Sequence, residues 1–489
     1  MKDAYDVIVI GSGTAGCYFA RRMAEQGYRT LVADALPPQR LGEQLPLFHV
    51  DKDMFAKLGV PMPRPGDPDY ITEFEAGSYY SPFGQYKKRN DGTEIIVLAD
   101  YPFLACNLPA FVRRLRTWCL EVGVEFADET RFEDFIYDRR GVCGAKLRTA
   151  EGLAFVRSRL VADCSGWRAV ARRKLRRPSY VENFSLGPRD IMFTILKYVK
   201  LAHPEEDAPK RAEHWAYYKS WIGQAPEPDQ AIFGTGACNS FAYAETCSRR
   251  FAEAIDLPEG EVVKEGRGLV PFRRAPYSLV DNGFMVMGDA ACMNKWVGEG
   301  ICSGWVGCQI AAETAARAMK GGAYPTRDAL WDYNVRYNRG QAASFAYINA
   351  TTINAVDCDA EEMDYEFREG IIFNNKAMTR LNQKYSAAMP LNEALELVVK
   401  VTKGFTGGSI SFRTLKGLVR GVGCASLLKA HYQCYPRNPA YYAPWARFCD
   451  YLWAACGTIA DATDRYEERI RQAEERLSAQ LPARGLKAE

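Results

Sequence analysis

The sequence predicts an α/β fold in which a parallel sheet is accompanied by a second, β-rich layer and is followed by a helical C-terminal region. Three observations predict it. A β-branched apolar run, Tyr5 to Ile10, feeds directly into the glycine-rich turn Gly11-Ser12-Gly13-Thr14-Ala15-Gly16. Residues 177 to 263 are rich in aromatic and β-branched runs such as Ile191 to Leu196 and Ala231 to Gly234. After Ala323 the composition turns helical, at Arg327 to Ala350, Asn374 to Ser386, Leu391 to Val401 and Asp461 to Leu477.

The first element has the character of a central parallel strand, short, apolar and β-branched. Residues 17 to 26 have helix-forming composition and stop at Gly27, a suitable residue for the position after a helix. A second strand, Tyr28 to Ala33, then delivers Asp34, 18 residues after Gly16. The first glycine permits the tight turn, the second lets a pyrophosphate approach the backbone, and the third lets the helix pack close to the strand. The helix N-terminus offers unpaired N–H donors and the positive end of a dipole to phosphates. Asp34 is placed to accept hydrogen bonds from an adenosine ribose, and an acid there disfavours the 2′-phosphate of NADP. Strand, turn, helix, strand and acid in register predict a Rossmann-like dinucleotide-binding unit.

A second cluster selects the dinucleotide. Residues 283 to 304 read as an apolar strand, Gly288-Asp289-Ala290-Ala291, a short loop, and Gly298-Glu299-Gly300-Ile301 opening a helix that runs through Cys302 to Met319. Asp289 at a strand end suits sugar or ribityl hydroxyls. The N–H groups at 298 to 301 suit the pyrimidine end of an isoalloxazine, which is anionic when reduced. The reading is FAD, with contacts at Gly11, Gly13, Thr14, Ala15, Gly16, Asp34, Ala35, Glu43, Gly288, Asp289, Gly298, Glu299, Gly300 and Ile301. No catalytic side chain is assigned and no metal is expected.

These motifs resemble the FAD-dependent p-hydroxybenzoate-hydroxylase-like superfamily, nearest to its geranylgeranyl reductase and flavin-dependent halogenase branch. The resemblance rests on the GSGTAG turn with Asp34, on Ala162-Asp163-Cys164-Ser165-Gly166-Trp167 followed by Arg172-Arg173, and on GDAA with GEGI. Gly42-Glu43-Gln44-Leu45 is similar to a GE-containing segment of those families, whereas the halogenase WxWxIP signature is absent. The resemblance implies a glutathione-reductase-like parallel sheet in a discontinuous FAD domain, residues 1–55, 100–176 and 264–325. Residues 56–99 and 177–263 would form an inserted, mostly antiparallel β layer over the substrate, and 326–489 the helical region. It implies an FAD-dependent oxidoreductase acting on a hydrophobic small molecule, with geranylgeranyl-reductase-like reduction of a C=C bond through flavin N5 as first expectation. The alternatives are a monooxygenase or halogenase-like enzyme using a C4a-peroxide, and an FAD-binding electron-transfer or partner-binding protein. No second GxGxxG unit is present, so the electron donor is expected to be external: NAD(P)H, ferredoxin or a flavin reductase.

Composition narrows the classes further. The chain has 489 residues, 47 % hydrophobic and 25 % charged, ordinary for a multidomain globular protein. A net charge of +3 leaves no broad footprint for nucleic acid. Fifteen cysteines without a CxxC pair, beside four dispersed histidines, read as free thiols in a reducing, cytoplasmic setting. Cys292, Cys302 and Cys308 are expected to pack as small hydrophobes near the flavin helix, and His49 to pack between Phe48 and Val50. The six acids between Asp357 and Glu366 read as a solvated loop or helix start. Residues 408 to 450 interleave six cations with tyrosine, tryptophan and phenylalanine. That pattern suits either the wet face of a helical subdomain or a peripheral contact with a membrane surface.

Overall fold

The computed structural model describes residues 1–74, 77–80, 94–97, 103–209, 212–215, 219–255, 257–294, 300–355, 358–371, 374, 376 and 389–458. Within 459–472 it describes 461, 462, 464, 465, 467–469, 471 and 472. Gly298 and Glu299, the expected helix Asn374 to Ser386 beyond single positions, and the end of the expected helix Asp461 to Leu477 lie outside the described residues.

Val7–Ile10 is the centre of a six-stranded sheet. It pairs in parallel with Thr30–Ala33 on one side and with Leu160–Asp163 on the other. Glu125–Ala127 extends one edge, and Phe284–Val286 followed by Val280–Asp281 extends the other; all pairs but the last are parallel. Every residue of the three central strands is buried. That explains their unbroken Val, Ile, Leu and Ala runs, since a parallel sheet is covered on both faces. Helix Thr14–Glu25 covers one face and starts inside the glycine turn, three residues earlier than the composition suggested.

Facing this sheet is a seven-stranded, largely antiparallel roof. Its order is Gly260–Pro271, Ile191–Leu201, Gln230–Cys238, Ser220–Gln224, Ala212–Trp215, Gly77–Tyr80 and Glu94–Val97. Along Ile191–Leu201, Ile195 packs with Ala237, Ala244 and Cys247 beneath helix Phe241–Ala254. Met192, Thr194 and Leu196 therefore point to the opposite face, as the period of two in a strand requires. A three-stranded sheet of Leu47–Asp51, Phe103–Asn107 and Tyr70–Phe74 adjoins the roof. The mixed α/β architecture matches the predicted fold class.

The C-terminal region is helical, with one correction. The expected helix from Arg327 to Ala350 is divided: Arg327–Tyr337 and Ala343–Ala355 are joined by a π-turn, Asn338–Ala342. Asn338 there donates to Tyr277 O at 3.2 Å and Gln341 to Ser303 O at 3.0 Å, so the wide turn spends its polar side chains on neighbouring backbone. The acidic stretch is a helix start, the second of its two expected readings, and not a solvated loop. Asp359 and Glu362 form a capping box on helix Ala360–Arg368, and Glu362 also accepts from Thr414 Oγ1 at 2.7 Å. Glu366 is fully buried, and burial holds its carboxyl well above the usual carboxylate range. Asp357 lies outside the described residues.

Candidate FAD and substrate site

The glycine turn is assembled by contacts that only glycine tolerates. Gly11 has φ +102°, and a Cβ on it would lie 2.4 Å from Cys164 O. A Cβ on Gly16 would lie 1.9 Å from Gly11 O, so helix and turn are in direct backbone contact. Gly13 is different: a Cβ there would meet nothing within 4 Å. It is also the N-cap of the helix, with no side chain covering the first-turn N–H groups. Two glycines thus close the loop and the third leaves a space above it. Asp34 holds the loop shut, accepting from Ser12 N at 2.7 Å, Ser12 Oγ at 3.0 Å and Leu36 N at 2.9 Å.

Distant segments converge on this loop. The end of Leu160–Asp163 is organised by Asp163, which accepts from Ser165 N and Oγ, Ala171 N and Arg172 N at 2.6–3.1 Å. Arg172 is buried, donates to Ala290 O at 3.0 Å and to Glu182 O at 2.6 Å, and stacks on Phe184. It fastens the 163–172 segment to the turn Gly288–Ala291. Gly288 has φ +62°, and a Cβ on it would lie 2.8 Å from Ala15 Cβ. Helix Ile301–Ala318 packs on Thr14–Glu25, with Trp305 Nε1 donating to Thr14 O at 3.2 Å and Tyr18 stacked on Trp305.

The result is one cavity of 550 Å³. One wall is Gly13, Thr14, Ala15, Cys164, Gly166, Gly288, Asp289, Gly300 and Ile301; the other is Leu45, Leu47, Phe48, His49, Leu108, Met192, Thr194, Leu196, His214, Trp215, Lys219, Ser220, Trp221, Gly236 and Val270. The structure therefore brings together Gly13 to Ala15, Gly288, Asp289, Gly300 and Ile301. Gly11, Gly16 and Asp34 stand behind the loop as its supports. Two expected contacts are not in the wall. Glu43 is exposed and pairs with Arg40 at 3.7 Å, and Ala35 is exposed past the strand end. The GE segment follows a short 3₁₀ turn, Pro38–Arg40, which directs it outward.

Sequence reasoning expected a covering β layer but singled out no side chain of the opposite wall as a contact. The alternation Met192, Thr194, Leu196 was a usable signal; His214, Trp215 and Trp221 carried none, because only sheet pairing brings them in. His49 does face the cavity. Burial pushes the His49 imidazole down to about 4 and that of His214 to about 3, so both are uncharged at neutral pH. Gly234 lies under Trp221, where a Cβ would come within 2.1 Å of the indole. The cysteines behave as packing groups: Cys292, Cys302 and Cys308 are buried, and burial pushes the Cys292 thiol up to about 12.

Burial alone pushes the Asp289 carboxyl up to about 6. Its folded-state value lies above its unfolded one, so its contribution to stability is complete below about pH 4 and is lost as pH rises through 6. Asp289→Asn is thus expected to stabilise FAD-free protein at pH 8 by about 1–3 kcal/mol. It should also weaken FAD at least tenfold, roughly, by removing an anionic acceptor from its hydroxyls. Thermal melts with and without FAD at acid and alkaline pH check both halves; a variant indistinguishable from wild type in each would remove the carboxylate from the site.

The fold and this site define a class: the chain is an FAD-dependent oxidoreductase. The model of the FAD binding domain family matches residues 6–44, the strand, glycine turn, helix and second strand with its acid. Over 463 residues the chain is 25 % identical to a digeranylgeranylglycerophospholipid reductase from Sulfolobus acidocaldarius, covering 91 % of this chain and 96 % of that one. Among solved structures it is similar to a geranylgeranyl bacteriochlorophyll reductase-like protein from Thermoplasma acidophilum. That match has a TM-score of 0.59 and 16 % identity, and covers 83 % of this chain and 100 % of that one. It is also similar to a flavin-dependent brominase, TM-score 0.53 and 16 % identity over 98 % and 100 % of the two chains. These matches bear out the resemblance carried by the three motif stretches, and FAD as the cofactor.

Proposed function

We propose that this protein reduces C=C bonds of an isoprenoid-like, lipid-like substrate. The observation that carries the reading is the 550 Å³ cavity, glycine loops and Asp289 on one side and a largely apolar wall, with Lys219 as its cation, on the other. Reductase-named relatives covering 91 % and 78 % of this chain support the substrate class. Residues 1–55, 100–176 and 264–325 would hold FAD through Gly13 to Ala15, Gly288, Asp289, Gly300 and Ile301. Residues 56–99 and 177–263 would cover the substrate.

FAD, when bound, supplies the hydride chemistry at its ring system. The chain's part is orientation and exclusion of water. First-turn N–H groups at Gly13 to Ala15 would take the pyrophosphate, and those following Gly300 would take the carbonyl end of the flavin ring. Met192, Leu196, Leu47, Phe48 and Trp221 would hold a hydrocarbon chain against the ring. His49 and His214 are neutral, and Lys219, the cation in the wall, donates to Tyr243 OH at 3.0 Å and pairs with Glu467, so the hydrocarbon meets little uncompensated charge. Electrons arrive from an external donor.

The test is anaerobic. Dithionite-reduced protein mixed with a polyprenyl phospholipid should return to the oxidised flavin spectrum, while the lipid gains a pair of hydrogen atoms per double bond by mass spectrometry. Lipid that returns unchanged under nitrogen, but gains oxygen or halogen once air and halide are supplied, would overturn the reductase reading.

A further inference from the structure

The three C-terminal helices carry a second pattern, separate from the cavity. Helix Phe412–Gln433 has two opposed faces. Thr414, Gly417, Gly421, Ala425, Leu428 and Tyr432 are buried, and this face packs on helix Ala343–Ala355. The approach is close: a Cβ on Gly421 would meet Asn354 Cβ at 3.0 Å. The opposite stripe, Phe412, Lys416, Val419, Arg420 and Leu427, follows the i, i+4, i+7, i+8, i+15 spacing of one helix side. It faces outward, with Phe412 71 % and Val419 66 % exposed.

Its neighbours repeat the arrangement. On Leu391–Thr406, Leu391, Leu395 and Val398 share one side and all are exposed, Leu391 to 76 %. On Tyr442–Cys456, Phe448 and Tyr451 are exposed. Arg420 donates to Ala455 O at 2.6 Å, and the 412–433 helix packs on 442–456, so these two are held in a fixed relation. Scattered apolar side chains on a surface need no explanation, but stripes on three successive helices edged by cations do.

Charge selects the occupant. On the 412–433 helix, which has no Asp or Glu, Lys416 and Arg420 are exposed, as is Arg447 on the next helix; Arg413 pairs with Glu362 and Asp359, Lys429 lies over Tyr347, and Asp450 is the exposed acid beside Phe448 and Tyr451. A second copy meeting this face about a two-fold axis would set cations against cations. A surface of anionic headgroups over an apolar interior complements both the lysines and arginines and the apolar stripes. No helix among the described residues is long and apolar enough to cross a membrane, so the face would lie on the lipid and not span it.

We propose that this face docks the protein on an anionic lipid surface. The proposal stands apart from the reaction assigned above, and its test reads binding and not turnover. Full-length FAD-loaded protein is sedimented with phosphatidylcholine vesicles, with or without about one quarter phosphatidylglycerol. Binding to the anionic vesicles at low salt, released at high salt, is the expected result. Lys416→Glu with Arg447→Glu should lower the partition coefficient roughly tenfold or more, by removing two surface cations. Phe412→Ser with Leu427→Ser should lower it comparably through lost apolar insertion. Val419→Ser with Tyr451→Ser is the substitute should either pair fail to retain the wild-type circular dichroism and flavin spectrum. Three results would overturn the proposal: no binding at low salt, equal binding to neutral and anionic vesicles, or binding unchanged in folded variants. A concentration-dependent dimer that Phe412→Ser with Leu427→Ser dissolves, without vesicle binding by the wild type, would assign the face to a second copy.

Discussion

Gly16→Ala is expected to prevent folding of the FAD-binding region, whereas Gly13→Ala is expected to fold normally and lose FAD. The two positions lie in one turn yet differ in what surrounds them. At Gly16 a methyl group would sit 1.9 Å from Gly11 O, backbone that is itself held by the Gly11 N–H bond to Ala33 O at 2.8 Å. Neither atom yields without moving the helix off the central strand, and a loss above about 4 kcal/mol follows, within the range of severe core defects. At Gly13 the methyl meets no protein atom. Any effect there must come from what approaches the loop, so FAD affinity is expected to fall about a hundredfold, near 3 kcal/mol, with stability changed by less than about 1 kcal/mol. Urea unfolding by circular dichroism and a flavin fluorescence titration separate the two. Gly13→Ala protein that binds FAD like wild type would show that the pyrophosphate lies elsewhere.

Gly234→Val is expected to leave FAD content unchanged and to lower turnover of a long hydrophobic substrate about 10- to 100-fold. Gly234 sits on the strand Gln230–Cys238, and a Cβ would come within 2.1–2.5 Å of three indole atoms of Trp221. The indole must rise by roughly an ångström or more to restore van der Waals contact, into the space the cavity now occupies. The double variant with Trp221→Ala removes the displaced ring and should recover much of the loss, a coupling that independent sites would not show. Steady-state kinetics on the single and double variants measure it. No rescue would mean that Gly234→Val acts through the sheet and not through the cavity.

Much of the site was legible, and the reason is locality. The strand Val7–Ile10, the glycine turn, the helix and Asp34 lie within 28 residues, and each has a pattern fixed by short-range sterics and burial. The turn Gly288–Ala291 and the helix from Ile301 were legible for the same reason. The second task of Asp34 was not: besides the ribose contact that the sequence suggests, it ties the loop by accepting from Ser12 and Leu36, which leaves Oδ1 a further acceptor site. Nor was the placement of Glu43, since nothing local reports that it stands in solvent beside Arg40 after the turn Pro38–Arg40. The acidic stretch was legible as a helix start but its burial was not, because the partners that bury Glu362, Ser411 and Thr414, lie about fifty positions away.

By itself the sequence determined the elements, the dinucleotide loop and the cofactor class, because strand, turn and helix patterns are set by residues within a few positions of one another. The tertiary structure alone decided the cavity. Leu160–Asp163 inserts between Val7–Ile10 and Phe284–Val286, which carries Gly288 to Ala15 across more than 270 positions. Helix Phe241–Ala254 covers one face of the roof and so turns Met192, Thr194 and Leu196 to the other, where His49, His214 and Trp221 join them from separate strands. Those choices depend on which apolar faces bury each other and which strand edges pair. Such long-range terms leave no mark in any short window of the chain.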